Sequence, residues 1–155
     1  MNNDLLDRFD SQWRLARGLT GDLLKSLEPE ELAFTPGPHL GPFWKHFRHL
    51  GRVQENYLEA IDSGRVVFGF ENTMLLADPS RQQLFDYLDR VDQRLTRTLS
   101  TLDAARRVDW FGEAVDSYTH FMRLADHETL HHGMFVVYMR LLGKSFPSSW
   151  AAWGL

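Results

Sequence analysis

Apolar residues in this chain recur every three or four positions in four separate windows, and that period admits helices buried by one face. Residues 4–26 carry Leu6, Phe9, Trp13, Ala16 and Leu23, with Leu27 just beyond. Residues 42–63 carry Phe43, Phe47, Leu50, Val53, Tyr57 and Ile61, with Pro42 placed for a first turn and Gly64 just past the end. A third window opens at Asp78-Pro79-Ser80, a helix-capping sequence, and runs through Leu84, Leu88, Val91, Leu95 and Leu99 to Leu102. The fourth starts at Asp116-Ser117 and closes at Gly143, a glycine suited to the left-handed residue after a helix. Each window spans roughly 30–35 Å at ~1.5 Å per residue. The pattern predicts an all-α four-helix bundle, with residues 1–155 forming one domain.

The connections are each about a dozen residues or more, longer than bundles usually need. Residues 27–41 hold the breakers Pro29, Pro36, Gly37 and Pro38. Residues 64–78 include Val66, Val67 and Phe68, a short extended piece that would pack on the bundle. The tail, with Trp150 and Trp153 after Pro147, is expected to fold back over the core.

Composition narrows the function. There is no cysteine among the 155 residues, which removes disulfides, a thiol nucleophile and thiolate metal sites. A transition metal must therefore be held by nitrogen and oxygen, and there are seven histidines to supply it. The net charge of −4 gives no general attraction to phosphate backbones, so no nucleic-acid partner is expected. No apolar run reaches the ~18 residues of a membrane span, and the first residues lack the basic-then-apolar order of a secretory signal. The expected setting is the cytoplasm, with no membrane partner.

Chemistry concentrates in the fourth window, which holds His120, His127, His131 and His132. His127 and His131 stand one turn apart and share a face with Leu124, Met134, Tyr138 and Leu141, so both imidazoles should point into the bundle. Glu128 and His132 fall toward the flank. Two histidines at i and i+4 can place nitrogens on one ion at ~2.0–2.1 Å but cannot saturate it. Nothing after His132 is Asp, Glu, His or Cys, so a third ligand comes from upstream, where the candidates are His46 and His49. The helical period favours His46, which lies nearer the apolar stripe marked by Leu50. The string His127-Glu128-Thr129-Leu130-His131 also matches the HExxH pattern of zinc proteases, with Glu128 as the base. The downstream ligand and the sheet edge of such enzymes are missing. Glu128 reads better as a flank carboxylate able to orient a ligand histidine from behind.

Two stretches carry a family resemblance. His127-x-x-x-His131-His132-Gly133-Met134, followed by Tyr138-Met139-Arg140-Leu141-Leu142-Gly143, is similar to the HxxxH(R/K)GQ element and closing YLRLLG-like end of the DinB/YfiT family. His49-Leu50-Gly51-Arg52-Val53-Gln54-Glu55-Asn56-Tyr57-Leu58 resembles the segment carrying that family's first histidine, and the tail Phe146-Pro147 with Trp150-Ala151-Ala152-Trp153-Gly154 is also family-like. The resemblance covers nearly the whole chain. It implies a bundle of unusual handedness, often dimeric, with a divalent metal, commonly zinc or nickel, on His49, His127 and His131. It thus favours His49 where the period favours His46. Two residues depart from the family pattern: Met134 replaces its glutamine and His132 its basic residue.

Some relatives in this family are S-transferases that use a low-molecular-weight thiol such as bacillithiol or mycothiol. The resemblance therefore implies a metal-dependent transferase or hydrolase acting on a small electrophilic substrate, with a thiol or water as nucleophile. Tyr138, whose side chain should lean toward Met134 and His131, is the candidate proton donor or substrate contact. Asn56, one heptad beyond His49, is a candidate pocket residue together with Met134. The alternative is a homodimeric bundle, with or without metal, that does no catalysis. His39, His120 and His132 are read as bystanders.

Overall fold

The computed structural model describes residues 3–69, 78–103 and 105–155. Four long helices form the bundle: α1 (Asn3–Ser26), α3 (Phe43–Ser63), α4 (Arg81–Thr101) and α5 (Ser117–Leu142), with a short α2 (Pro29–Leu32) in the first connection. All four lie in the expected windows, and their ends follow from local chemistry. Ser80 accepts from Gln83 N at 3.2 Å while the Gln83 side chain takes Ser80 N at 2.9 Å, a reciprocal cap at the start of α4. Asp116 caps α5 through Thr119 N at 2.7 Å. Gly64 (φ 82) and Gly143 (φ 65) end α3 and α5 in the left-handed conformation that other residues resist. Pro42 precedes the first helical residue of α3 as its cap.

Before α5 the chain forms a β-hairpin that the helical pattern does not announce. Strands β1 (Arg107–Trp110) and β2 (Glu113–Asp116) pair antiparallel, Val108 opposite Val115, across a two-residue turn. Both turn residues, Phe111 (φ 52) and Gly112 (φ 98), have positive φ, as a twist-matched hairpin turn requires. The extended piece at Val66 docks on this hairpin, with Val66 N bonded to Asp109 O at 2.9 Å and Asp109 N to Gly64 O at 2.8 Å. Val66 is buried, but Val67 and Phe68 stay about half exposed. Residues 70–77 of this connection lie outside the described residues. The tail does fold back as a 3₁₀ turn (Ser148–Trp153). It buries Trp150 completely, with its Nε1 donating to Leu19 O at 2.9 Å, and leaves Trp153 41% exposed.

The core has two apolar halves separated by a polar layer. One half gathers Leu23, Phe43, Phe47, Phe135, Tyr138 and Trp150; the other gathers Phe9, Trp13, Leu58, Leu95, Val108 and Phe121. Between them each long helix contributes polar residues: Arg17 and Thr20 from α1, Gln54 from α3, Asp92 from α4, Glu128 and His132 from α5. Arg17 donates to Gln54 Oε1 at 2.7 Å and lies 3.4 Å from Asp92 and 3.5 Å from Glu128. Gln54 in turn donates to Asp92 at 2.8 Å.

This layer corrects the reading of Glu128 and His132 as flank residues, since both are buried. The inward seam of α5 runs Phe121, Ala125, Glu128, His132, Phe135, Met139, because the helix packs against α1 as well as α3. Two of its seam positions are polar, and the wheel drawn on apolar residues alone is therefore turned. The desolvation is met by bonding. Trp153 Nε1–H donates to His132 Nδ1 at 3.2 Å, which leaves the proton on Nε2 facing Thr20 Oγ1 at 2.9 Å. The Thr20 hydroxyl then donates to Glu128 Oε1 at 2.5 Å. No described helix is long and apolar enough to cross a membrane.

Candidate metal centre

Antiparallel packing of α3 on α5 sets four imidazoles along one half-exposed groove. His49 Nε2 lies 3.2 Å from His127 Nε2, and His46 Nδ1 lies 3.3 Å from His131 Nδ1. The His131 ring is 4.9 Å from that of His49 and 4.7 Å from that of His127. One nitrogen from each of His49, His127 and His131 falls in a group whose members are all within 4.8 Å of one another. His46 is outside that group. Two nitrogens on one tetrahedral ion at ~2.0–2.1 Å stand about 3.3 Å apart, so the His49–His127 pair already has the spacing of two ligands.

The donors also have the right protonation. Burial, with the neighbouring His49, pushes His127 down to about 4. Burial, with its four histidine neighbours, pushes His131 down to about 3. Partial desolvation lowers His46 and His49 as well, and the charge of Arg52 adds to the effect on His49. Neutral imidazoles with free lone pairs are what a metal requires. His127 Nδ1 is buried without a hydrogen-bond partner, a polar atom whose cost a ligated and ordered centre would have to meet. The residues present thus fit a divalent transition metal.

The remaining candidates are distributed differently from the sequence reading. His127 and His131 are half-buried and face α3, and His49 stands at the rim, so the site is a groove on the bundle and not its interior. Glu128 turns toward α1, bonded to Thr20 and Arg17, so it supports neither a ligand histidine nor the protease reading that needs it as a base. The Tyr138 ring is buried and its hydroxyl donates to Gly41 O at 2.6 Å; its proton is thereby engaged, and its ring meets His46 at 4.8 Å. Asn56 is buried with Oδ1 unpartnered and lines a cavity of about 270 Å³ with Glu59, Ala60 and Arg65, one heptad along α3 from His49. Met134 packs against the apolar half that holds Phe135. His39 is exposed. His120, read as a bystander, is fully buried and ties the hairpin to α3, taking Trp110 Nε1–H at 2.9 Å and reaching Tyr57 O at 2.9 Å.

Arg17, Thr20 and Gln54 were not singled out from the sequence. A signal was available for two of them, because Arg17 and Thr20 sit four and seven residues after Trp13, on the buried stripe.

Comparison with known proteins agrees with this architecture. The model of the DinB superfamily matches residues 12–135. Among solved structures, a DinB-like protein from Bacillus cereus superposes with a TM-score of 0.74 at 21% identity, over 90% of this chain and 94% of that one. A DinB-like protein from Bacillus subtilis gives 0.73 at 16% identity, over 92% and 97%. At these identities the likeness to both is one of fold. A comparison with curated proteins gives no match.

Proposed function

The chain belongs to the DinB superfamily, and from that premise we propose that it is a divalent-metal-dependent enzyme of the thiol S-transferase or hydrolase type. Its metal ligands are His49, His127 and His131, and zinc or nickel suits their borderline nitrogen donors. The observation that carries this reading is the convergence of three neutral imidazoles from two helices in an accessible groove. A bound divalent ion would supply Lewis acidity there, undiminished by anionic ligands, and so lower the pKa of a thiol or water reaching the open position.

The chain's own residues do the rest. The rigid i, i+4 pairing on α5 holds His127 and His131 in register, and α3 brings His49 from the opposite wall. Because the chain has no cysteine, the nucleophilic sulfur arrives with a low-molecular-weight thiol, and the acceptor is a small electrophile. Such thiols are solutes of the reducing cytoplasm, which is where we place the reaction.

Metal analysis of untagged protein, beside His49→Ala, His127→Ala and His131→Ala, tests the ligand set. About one ion per chain is expected, with loss in each variant. Full occupancy in His127→Ala and His131→Ala would refute the site. Thiol consumption measured with model electrophiles tests the chemistry; metal retained without metal-dependent turnover across several thiols would leave a metal-binding bundle.

A further inference from the structure

We propose that His46 is the positioning residue of this centre: it accepts the Nδ1 proton of His131 and thereby reserves His131 Nε2 for the metal. The inference rests on the ligand set proposed above. A neutral imidazole has one lone-pair nitrogen and one N–H. The two Nδ1 atoms lie 3.3 Å apart, within hydrogen-bond reach, so a proton on one can be received by the other. If His131 spends its lone pair on a metal through Nε2, its Nδ1 must be the donor. His46 must then be the Nε2–H tautomer, with Nδ1 as acceptor. The chemistry leaves no other assignment once His131 is a ligand through Nε2.

His46 is built to hold that pose. The Tyr138 ring meets it in a T-shaped contact at 4.8 Å and 76°, and Phe135 stands at 6.2 Å and 87°. Tyr138 is itself pinned by its hydroxyl bond to Gly41 O. The imidazole of His46 is thus oriented by an aromatic wall whose rings come from α5, the helix that carries His131. His127 makes the contrast within the triad, because its Nδ1, the nitrogen turned away from His49, is buried without a partner. His131, unlike His127, thus has a protein nitrogen within hydrogen-bond distance of its Nδ1. An acceptor there makes the ligating nitrogen more basic and fixes the ring's rotation.

The test uses the untagged full-length chain with His46→Ala, His46→Gln and the exposed-site control His39→Ala. Zinc affinity is measured by competition with a chromophoric chelator. The His131 tautomer is read in zinc-loaded wild-type protein from long-range ¹⁵N–¹H NMR correlations. Removal of such an outer partner weakens metal binding about 10–100-fold. The expected results are therefore a loss of that size in His46→Ala with one ion still bound at saturation, partial recovery in His46→Gln through its amide carbonyl, no change in His39→Ala, and a protonated His131 Nδ1. Affinity within about twofold of wild type in His46→Ala overturns the proposal. So does loss as complete as in His131→Ala, which would make His46 a ligand, or a His131 whose Nδ1 is the metal-bound nitrogen. Zinc retained by His131→Ala would instead overturn the ligand set, and this inference with it.

Discussion

His120 offers a sharp test of the energetics, because both its nitrogens are occupied in a fully buried setting. Nδ1 accepts from Trp110 at 2.9 Å and Nε2 donates to the Tyr57 carbonyl at 2.9 Å, which defines a neutral Nε2–H ring. A second proton would have to go on Nδ1, directly against the indole N–H. Burial is the main reason its pKa falls to about 4; the Tyr57 carbonyl opposes the shift and the charge of Arg123 adds to it. In the unfolded chain the ring titrates near ~6.5. Below that pH the unfolded state takes up a proton that the folded state refuses, so stability is full above ~6.5 and is lost as pH falls toward about 4. At ~1.4 kcal/mol per pH unit, the ~1.5 units between 6.5 and 5 correspond to about 2 kcal/mol. Urea unfolding at pH 7 and pH 5, with chelator present, should be run on wild type and His120→Gln. His132 and the site histidines contribute equally to both proteins and cancel in the comparison. Wild type should lose about 2 kcal/mol more than the variant, which in a thermal melt is roughly 4–8 °C in midpoint for a chain of this size. Parallel losses in the two proteins would refute the argument that burial holds His120 neutral.

Three further outcomes follow from the packing. Arg17→Met should destabilise the protein by about 3–5 kcal/mol in urea, because it strands the buried Glu128 carboxylate, yet leave zinc affinity nearly unchanged, since Glu128 faces α1 and not the histidine groove. Gly51→Ala should cost about 1–3 kcal/mol in a thermal melt, because its Cβ would stand 2.5 Å from Tyr87 Cε1 where α3 packs against α4. Phe111→Asn should raise stability by about 1 kcal/mol, since Asn tolerates the positive φ of the turn better than a bulky ring; slower hydrogen exchange at Val108 and Val115 would report it.

The hairpin shows where local pattern runs out. Its strands are four residues each, and its turn is Phe111-Gly112 in place of the Asn-Gly or Asp-Gly that signals such a turn in a sequence. The pairing becomes favourable because Val108 and Val115 close one end of the core and because Gly64 and Val66 add a partner along the edge. Those are contacts across more than forty residues of chain, which a window of a dozen cannot contain.

What the sequence determined alone is what repeats within one helix turn. The three- and four-residue period sets four helices, capping side chains and glycines set their ends, and the i, i+4 spacing puts His127 and His131 together wherever α5 goes. The absence of cysteine set the donor chemistry. Rotation of each helix about its axis was decided only by the tertiary structure, because an interior helix answers to two neighbours at once. α5 turns Glu128 and His132 inward, where Arg17, Thr20 and Trp153 from distant parts of the chain satisfy them, and that rotation carries His127 and His131 to a groove against α3. The tertiary structure also sets His46 and His49 against different histidines of α5: His46 Nδ1 meets His131 Nδ1 at 3.3 Å and His49 Nε2 meets His127 Nε2 at 3.2 Å. A wheel fixes angles about one axis, whereas the distance between two rings depends on where the other axis lies.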